Sequence, residues 1–178
     1  KTFEEILPRV IAKFRDPLIT AKGEARAQVT LRGLETLWFN TGTLCNLTCH
    51  NCYIESSPRN DQLAYLTRCD VLGYLDEIAR ERLPTRLIGF TGGEPFLNRE
   101  LPQMLIETLR YGPATVLTNA TVLQPQWLEA LAAAEAASIY SLEFRVSIDG
   151  FTPEMNDPIR GEGTFVRAMQ GVKLLVDH

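Results

Sequence analysis

Strand-like and helix-like segments alternate four times along this chain, and this alternation constrains the fold more than any other feature. Each short run rich in apolar, β-branched or aromatic residues is followed by an amphipathic segment. Such alternation predicts a parallel sheet with helices packed outside it, so the fold class is α/β. The predicted strands are Thr36–Asn40, Arg86–Thr91, Ala114–Asn119 and Leu142–Ile148, and the predicted helices are Arg68–Arg82, Pro102–Tyr111, Gln126–Ala137 and Thr164–Val176.

The first 34 residues precede this repeat, and we predict that they form an N-terminal extension to a core at 35–178. Apolar residues at helical spacing over 3–14 predict an amphipathic helix there. Ala25–Leu31 is compatible with an added edge strand. A chain of 178 residues is long enough to bury a real core.

Composition narrows the functional classes. The net charge is -4 and there is no cationic run, so nucleic acid is not an expected partner. No apolar stretch approaches the ~20 residues that span a bilayer, and no secretory signal is evident, so we expect no membrane partner and a cytoplasmic protein. Clustered cysteines in a reducing compartment indicate metal binding rather than disulfides.

Three of the four cysteines, Cys45, Cys49 and Cys52, lie within eight residues directly after the first predicted strand. Thiolates select zinc, Cu(I) or iron–sulfur clusters. Three thiolates on a four-iron cube leave one iron open for a small molecule, whereas structural zinc needs four ligands. The alternative is therefore a non-catalytic zinc or iron–sulfur module, with His50 or Cys69 as a fourth ligand.

Other unusual residues also follow predicted strands, where parallel sheets place their chemistry. Gly92-Gly93-Glu94-Pro95 would allow close approach of a ligand, and its carboxylate and carbonyls suit an ammonium group. Asn119 and Ser147 either hydrogen-bond a ligand or cap a local turn. Asp149 either shapes a turn or touches a ligand. The guanidinium of Arg160 matches a carboxylate, although a surface position is the common alternative.

Taken together, the chain resembles the radical SAM superfamily. The matching pieces, in order, are Cys45-x3-Cys49-x2-Cys52, Gly92–Pro95, Thr118–Thr121, Val146–Gly150 and Ile159–Phe165. The last two are most similar to the branch that contains anaerobic sulfatase maturases and peptide-modifying enzymes with a SPASM domain, and to the molybdenum-cofactor biosynthesis protein A.

The resemblance implies a [4Fe–4S] cluster on Cys45, Cys49 and Cys52, and S-adenosylmethionine on its open iron. Reductive cleavage would give a 5′-deoxyadenosyl radical that abstracts hydrogen from substrate. By the same resemblance the Gly92–Pro95 turn holds the methionine amino group, Ser147 contacts the ribose, and Arg160 binds the methionine carboxylate. Family members often have an aromatic residue before the third cysteine, but this chain has Asn51, followed after the cysteine by Tyr53.

The resemblance also implies a partial, TIM-barrel-like (βα) barrel, with four of the family's six βα units present. We therefore expect the core to be truncated at its C-terminus and incomplete as a catalyst. The implied partners are a peptide or small-molecule substrate and an electron donor such as flavodoxin or ferredoxin. The substrate itself is not determined by these motifs, because fold and cofactor site do not fix it.

Overall fold

The computed structural model describes residues 16–30, 32–63 and 65–178, which belong to two compact units, 1–32 and 33–178. In the first unit a local turn joins Ile19 to Ala25 in an isolated antiparallel bridge. Thr20 N donates to Glu24 O at 2.8 Å across this turn. Residues 25–30 form no strand, so the predicted edge strand is wrong for the described part of that segment. The predicted helix over 3–14 lies outside the described residues.

Four parallel strands form the sheet of the second unit, in the order β1-β2-β3-β4. The predicted α/β class with a partial barrel is confirmed, and the described strands do not close a barrel. The first strand has the predicted bounds, and β4 ends at Val146, two residues before the predicted end. The bounds are β1 Thr36–Asn40, β2 Leu87–Thr91, β3 Ala114–Thr118 and β4 Leu142–Val146.

Helices follow the strands as the alternation predicts. The N-terminus of the first is fixed by a capping box, in which Thr67 and Asp70 each accept the other's backbone N–H. A short 3-10 helix, Pro95–Leu97, follows β2. The α-helices are α1 Arg68–Glu81, α2 Leu101–Thr108, α3 Pro125–Ala136, α4 Pro153–Arg160 and α5 Thr164–Asp177.

The core lies between the sheet and its helices. Phe39 and Phe90 point to the helical side and pack together with ring centroids 5.3 Å apart. Phe96 is almost fully buried and stacks on both Trp127 and Phe144, which ties the turn after β2 to α3 and β4. Aromatic contacts of this kind add about 0.5–1.5 kcal/mol each beyond burial. The turn that follows β2 is therefore rigidly attached to the core.

The two faces of β4 differ as its alternating pattern predicts. Leu142, Phe144 and Val146 are half-buried and pack against the core. On the other face, Arg145 Nε donates to Glu143 Oε1 at 2.9 Å, and both side chains are about half exposed. This face continues toward Ser147 at the C-terminal edge of the sheet. No helix among the described residues is long and apolar enough to cross a membrane.

One helix was absent from the sequence prediction. Residues 153–160 form α4, which places Arg160 at a helix C-terminus rather than in a glycine-rich loop. The sequence carries the signal, because Thr152 lies at the N-cap position and Pro153 begins the helix. Pro158 inside the segment obscures that signal.

Candidate active site at the C-terminal edge of the sheet

A cavity of about 310 Å³ opens where the four strands end. Every predicted site residue except Glu94 and Pro95 lies on its wall. Loops after all four strands contribute, as expected for the C-terminal edge of a parallel sheet. The lining residues are Cys45, Leu47, Cys49, Asn51, Cys52, Tyr53, Ser56, Thr91, Gly92, Gly93, Leu117, Thr118, Asn119, Ser147, Asp149 and Arg160.

Backbone hydrogen bonds hold the cysteine loop, residues 45–52, in place. Cys45 N donates to Ser57 O at 3.1 Å, and His50 N donates to Ile159 O at 2.8 Å. Two thiols also accept backbone N–H groups. Leu47 N lies 3.4 Å from Cys45 Sγ and Ser56 N lies 3.3 Å from Cys52 Sγ. The loop therefore presents its sulfurs to the cavity with donors already directed at two of them.

Burial raises the pKa of two of the thiols, Cys45 and Cys49. Desolvation raises the pKa of Cys45 to about 11, against the Leu47 N–H, which lowers it. Desolvation also raises the pKa of Cys49, while the positive charge of Arg160 opposes that rise. Without a bound cation these thiols stay protonated at neutral pH. Metal ligands must be deprotonated, so a metal bound by these two sulfurs would have to displace their protons.

The two glycines after β2 allow that turn to pack directly on the cysteine loop. A Cβ on Gly93 would lie 2.2 Å from Leu44 O, and one on Gly92 would lie 2.7 Å from Gly42 O. Backbone pairing continues past the strands here, since Gly93 N donates to Gly42 O at 2.9 Å and Glu94 N to Leu44 O at 3.0 Å. The sequence pattern indicated close approach of a ligand; the structure shows close approach of another backbone.

Glu94 lies behind the cavity wall, with only 1% of its surface exposed. Its Oε2 accepts from Asn119 N at 2.7 Å, and its Oε1 accepts from Thr118 Oγ1 at 2.8 Å and Phe96 N at 3.1 Å. Burial raises the pKa of Glu94, while these hydrogen bonds lower it. Pro95 is buried too. The carboxylate thus joins the turn after β2 to the end of β3, and it does not face the cavity.

Arg160 and Asp149 both line the cavity and contact each other there. Arg160 Nε lies 2.6 Å from Asp149 Oδ2, as a charge contact without hydrogen-bond geometry. Asp149 is positioned by Asn156, which is 1% exposed and whose Oδ1 accepts from Asp149 N at 3.0 Å. Asp157 accepts from Phe165 N at 2.9 Å and so caps α5. The Ile159–Phe165 motif is therefore a pair of linked helix ends that holds Arg160 at the cavity.

Asn119 and Ser147 directly follow the ends of the neighbouring strands β3 and β4 and line the cavity. Ser147 N donates to Thr118 O at 2.9 Å, which continues the ladder one residue past β4. The side chain of Asn119 is engaged within the protein: its Oδ1 accepts from Thr121 N at 2.9 Å, and its Nδ2 donates to Asn46 Oδ1 at 2.9 Å. For Asn119 the structure therefore shows the local role that the sequence left open.

Three residues outside the predicted set of cluster and cofactor residues join the site. Ser56 is 4% exposed, lines the cavity, and has a hydroxyl with no hydrogen-bond partner among the described residues. Asn46 and Thr121 contact Asn119. Ser56 lies just past the cysteine loop, and the sequence left open whether it faces a substrate or belongs to a solvated loop. Asn46 lies inside the cysteine loop and Thr121 ends the Thr118–Thr121 motif, so both positions were detectable.

Neither candidate for a fourth zinc ligand lies on the cavity wall. His50 is exposed, and Cys69 is exposed in the first turn of α1. Among the described residues, no group of three or more His, Cys, Asp or Glu side chains is arranged to hold a single metal ion. The three cysteines instead surround a cavity with room for a larger occupant.

A family model describing the radical SAM superfamily matches residues 39–178. The chain belongs to the radical SAM superfamily. Enzymes of this superfamily use a [4Fe–4S] cluster and S-adenosylmethionine, as the resemblance implied. The matched range begins in β1 and covers the whole cavity wall, so the cysteine loop and the later motifs fall inside it.

The curated relatives of this radical SAM protein carry names that refer to different products. The mycofactocin maturase MftC of Mycobacterium ulcerans is 27% identical over 74% of this chain and 33% of its own length. The antilisterial bacteriocin subtilosin biosynthesis protein AlbA of Bacillus subtilis is 31% identical over 75% of this chain and 29% of its own. A probable GTP 3′,8-cyclase of Sulfolobus acidocaldarius is 30% identical over 52% of this chain. The chain thus spans about a third of the length of the first two.

The fold is shared with solved structures. The protein anSMEcpe with bound AdoMet superimposes with a TM-score of 0.64 and 22% sequence identity, over 81% of this chain and 41% of that one. Its complex that also holds a Cp18Cys peptide superimposes with a TM-score of 0.63 and 20% identity. At this identity the likeness concerns the fold, which agrees with the partial barrel described above.

Proposed function

We propose that this protein binds a [4Fe–4S] cluster through Cys45, Cys49 and Cys52 and reductively cleaves S-adenosylmethionine beside it. The observation that carries the proposal is the common cavity, onto which all three cysteines face together with the ends of β2, β3 and β4. A zinc module would need a fourth ligand, and the two candidates in this chain lie off the cavity wall.

The residues present fit these cofactors. Three thiols suit a cluster with one open iron, whose positive charge would favour the deprotonated sulfurs that ligation needs. Ser56 offers an unpartnered hydroxyl on the same wall. When bound, the two cofactors supply a one-electron cleavage that yields methionine and a 5′-deoxyadenosyl radical. The protein itself binds and orients the cofactors and the substrate, and it excludes water from the cavity.

Each wall of the cavity offers groups for one part of S-adenosylmethionine. We assign the methionine carboxylate to Arg160, whose guanidinium is held beside the cysteine loop. Ser147 is assigned to the ribose. The methionine amino group is assigned to the backbone of Gly92 and Gly93, because Glu94 is buried behind them. Asp149 then acts by holding Arg160 rather than by touching the ligand.

We further propose a peptide as the substrate class. The relatives named for mycofactocin maturation and for bacteriocin biosynthesis support this class, as do the Val146–Gly150 and Ile159–Phe165 motifs. Tyr53 lines the cavity and is 80% exposed, so it is placed to meet a substrate at the cavity mouth. An electron donor such as flavodoxin or ferredoxin would reduce the cluster.

Formation of 5′-deoxyadenosine tests the proposed function. The anaerobically reconstituted protein is incubated with dithionite and S-adenosylmethionine, and products are separated by liquid chromatography. We expect 5′-deoxyadenosine from wild type and from Cys69→Ala, and none from Cys49→Ala. Product formation by Cys49→Ala at the wild-type level would show that the cysteine loop is not the cluster site.

The substrate class has a separate test. Release of 5′-deoxyadenosine should increase when a random-sequence peptide mixture is added, and should not increase with the same mass of free amino acids. An increase with the amino acids alone would contradict the peptide proposal and leave the cleavage reaction standing.

A further inference from the structure

Asn46, Asn119 and Thr121 form a closed ring of hydrogen bonds beside the cysteine loop. Asn46 Nδ2 donates to Thr121 Oγ1 at 2.8 Å, and Thr121 Oγ1 donates to Asn119 Oδ1 at 2.7 Å. Asn119 Nδ2 closes the ring by donating to Asn46 Oδ1 at 2.9 Å. Within the ring each side chain donates one hydrogen bond and accepts one. It connects the cysteine loop to the turn after β3.

The ring fixes which way the Asn119 carboxamide faces. The backbone N–H of Thr121, which can only donate, also points at Asn119 Oδ1, at 2.9 Å. The oxygen must therefore face Thr121, and the NH₂ group must face the cysteine loop. The Asn119 backbone is held as well, because its N–H donates to the buried carboxylate of Glu94 at 2.7 Å.

The second hydrogen of that NH₂ group faces a thiol. Asn119 Nδ2 lies 3.8 Å from Cys45 Sγ, within the range of an N–H···S hydrogen bond. Cys45 Sγ also accepts from Leu47 N at 3.4 Å. Asn119 is 8% exposed and Cys45 is 7% exposed, so water competes little for this contact.

We propose that Asn119 is a positioning residue that donates a hydrogen bond to the Cys45 sulfur and raises the reduction potential of the bound cluster, with Asn46 and Thr121 holding it there. The inference rests on the proposed function, since Cys45 must carry iron. A hydrogen bond to a ligand sulfur stabilises the more negative reduced cluster, so it raises the potential. Asn119 thus acts through Cys45 rather than on the nucleoside.

Midpoint potentials of the anaerobically reconstituted protein, measured without S-adenosylmethionine, test this role. We expect Asn119→Ala to retain iron and to have a more negative potential than wild type. Thr121→Val breaks the ring but keeps the Thr121 backbone donor, so its potential should shift in the same direction by less. Thr121→Ser restores the hydroxyl and should return the potential to the wild-type value.

The outcomes separate this inference from the proposed function. Absence of a cluster in wild type would defeat the proposed function. Wild-type potentials in Asn119→Ala, together with weakened S-adenosylmethionine binding, would make Asn119 a nucleoside contact and overturn the inference alone. If Asn119→Ala does not retain iron, the test rests on Thr121→Val and Thr121→Ser. A potential that is more negative in Thr121→Val than in Thr121→Ser and wild type supports the proposed role of the ring. Equal potentials in all three proteins overturn it.

Discussion

At the scale of single residues, the two arginines nearest the end of β4 have different environments. Arg160 has a side chain only 18% exposed, lines the cavity and lies against Asp149. Arg145 is half exposed and pairs with Glu143 away from the cavity wall. Residue type and distance along the sequence do not distinguish them. Their partners distinguish them, because Arg160 lies at the end of α4 next to the cysteine loop, where it contacts Asp149.

Arg160→Ala should therefore weaken S-adenosylmethionine binding without loss of iron. Removal of one charge-assisted contact costs about 1.5–3 kcal/mol. Calorimetry on the reconstituted protein measures the affinity, and Arg145→Ala serves as the matched control with unchanged affinity. Equal affinities of wild type and Arg160→Ala for S-adenosylmethionine would contradict this assignment and show that Arg160 only contacts Asp149.

Glu94 is a buried carboxyl group behind the cavity wall, and we expect Glu94→Gln to destabilise the fold. Both carboxylate oxygens accept N–H donors, so the amide NH₂ of a glutamine would face at least one of them. A buried polar group left without a partner costs about 1–3 kcal/mol in the free energy of unfolding. Urea denaturation of the metal-free protein checks this, and unchanged stability would contradict the hydrogen-bonded role of Glu94.

The raised pKa of Glu94 also predicts a pH dependence. A carboxyl group whose folded-state pKa lies above the ordinary value of 4.5 binds its proton more tightly when folded. Its contribution to stability is therefore complete below pH 4.5 and is lost as the pH rises through the folded-state pKa. The stability difference between wild type and Glu94→Gln should be larger at low pH than at neutral pH. A difference that grows with pH would contradict the sign of this shift.

At the scale of secondary-structure elements, the turn after β2 and the cysteine loop form one packed unit. Gly93→Ala should break it, because the added Cβ would meet Leu44 O at 2.2 Å and backbone atoms cannot move aside cheaply. Overpacking of this kind costs about 1–3 kcal/mol. We expect Gly93→Ala to have reduced stability and reduced iron content after reconstitution.

Gly73→Ala provides the matched control. Gly73 lies within α1, is exposed, and has nothing within 4 Å of an added Cβ. Alanine there should stabilise the protein by about 0.5–1 kcal/mol through helix propensity and leave the iron content unchanged. Equal iron contents in Gly93→Ala and Gly73→Ala would show that the close backbone contact does not support the cysteine loop.

The elements also show what the sequence could predict. Hydrophobic patterning was sufficient for the four βα units, because the helices and β4 bury one face and the central strands β2 and β3 are apolar runs buried on both faces. The cysteine loop was predictable because three thiols at that spacing match a specific chemistry, and Arg160 was predictable because it lies in the Ile159–Phe165 motif. The direction of Glu94 was not predictable, since a carboxylate after two glycines suits a ligand as well as the backbone of β3. The helix α4 was obscured by Pro158, and the unpartnered Ser56 depends on tertiary contacts that no local pattern records.

At the scale of the whole molecule, the candidate site residues lie at the C-terminal ends of the strands. The outer side of β4 is not paired by any described strand. Parallel edges of this kind invite pairing with a further strand. That the chain needs further strands to be a complete catalyst stays a prediction. What the described fold does supply is a cavity whose walls come from the loops after all four strands.

The iron and sulfide content of the anaerobically reconstituted protein tests the central claim most directly. We predict about four iron and four sulfide per chain in wild type and in Cys69→Ala. Cys45→Ala, Cys49→Ala and Cys52→Ala should each lose the cluster. Stoichiometric zinc in wild type, or loss of iron in Cys69→Ala, would contradict a three-cysteine cluster site with one open iron.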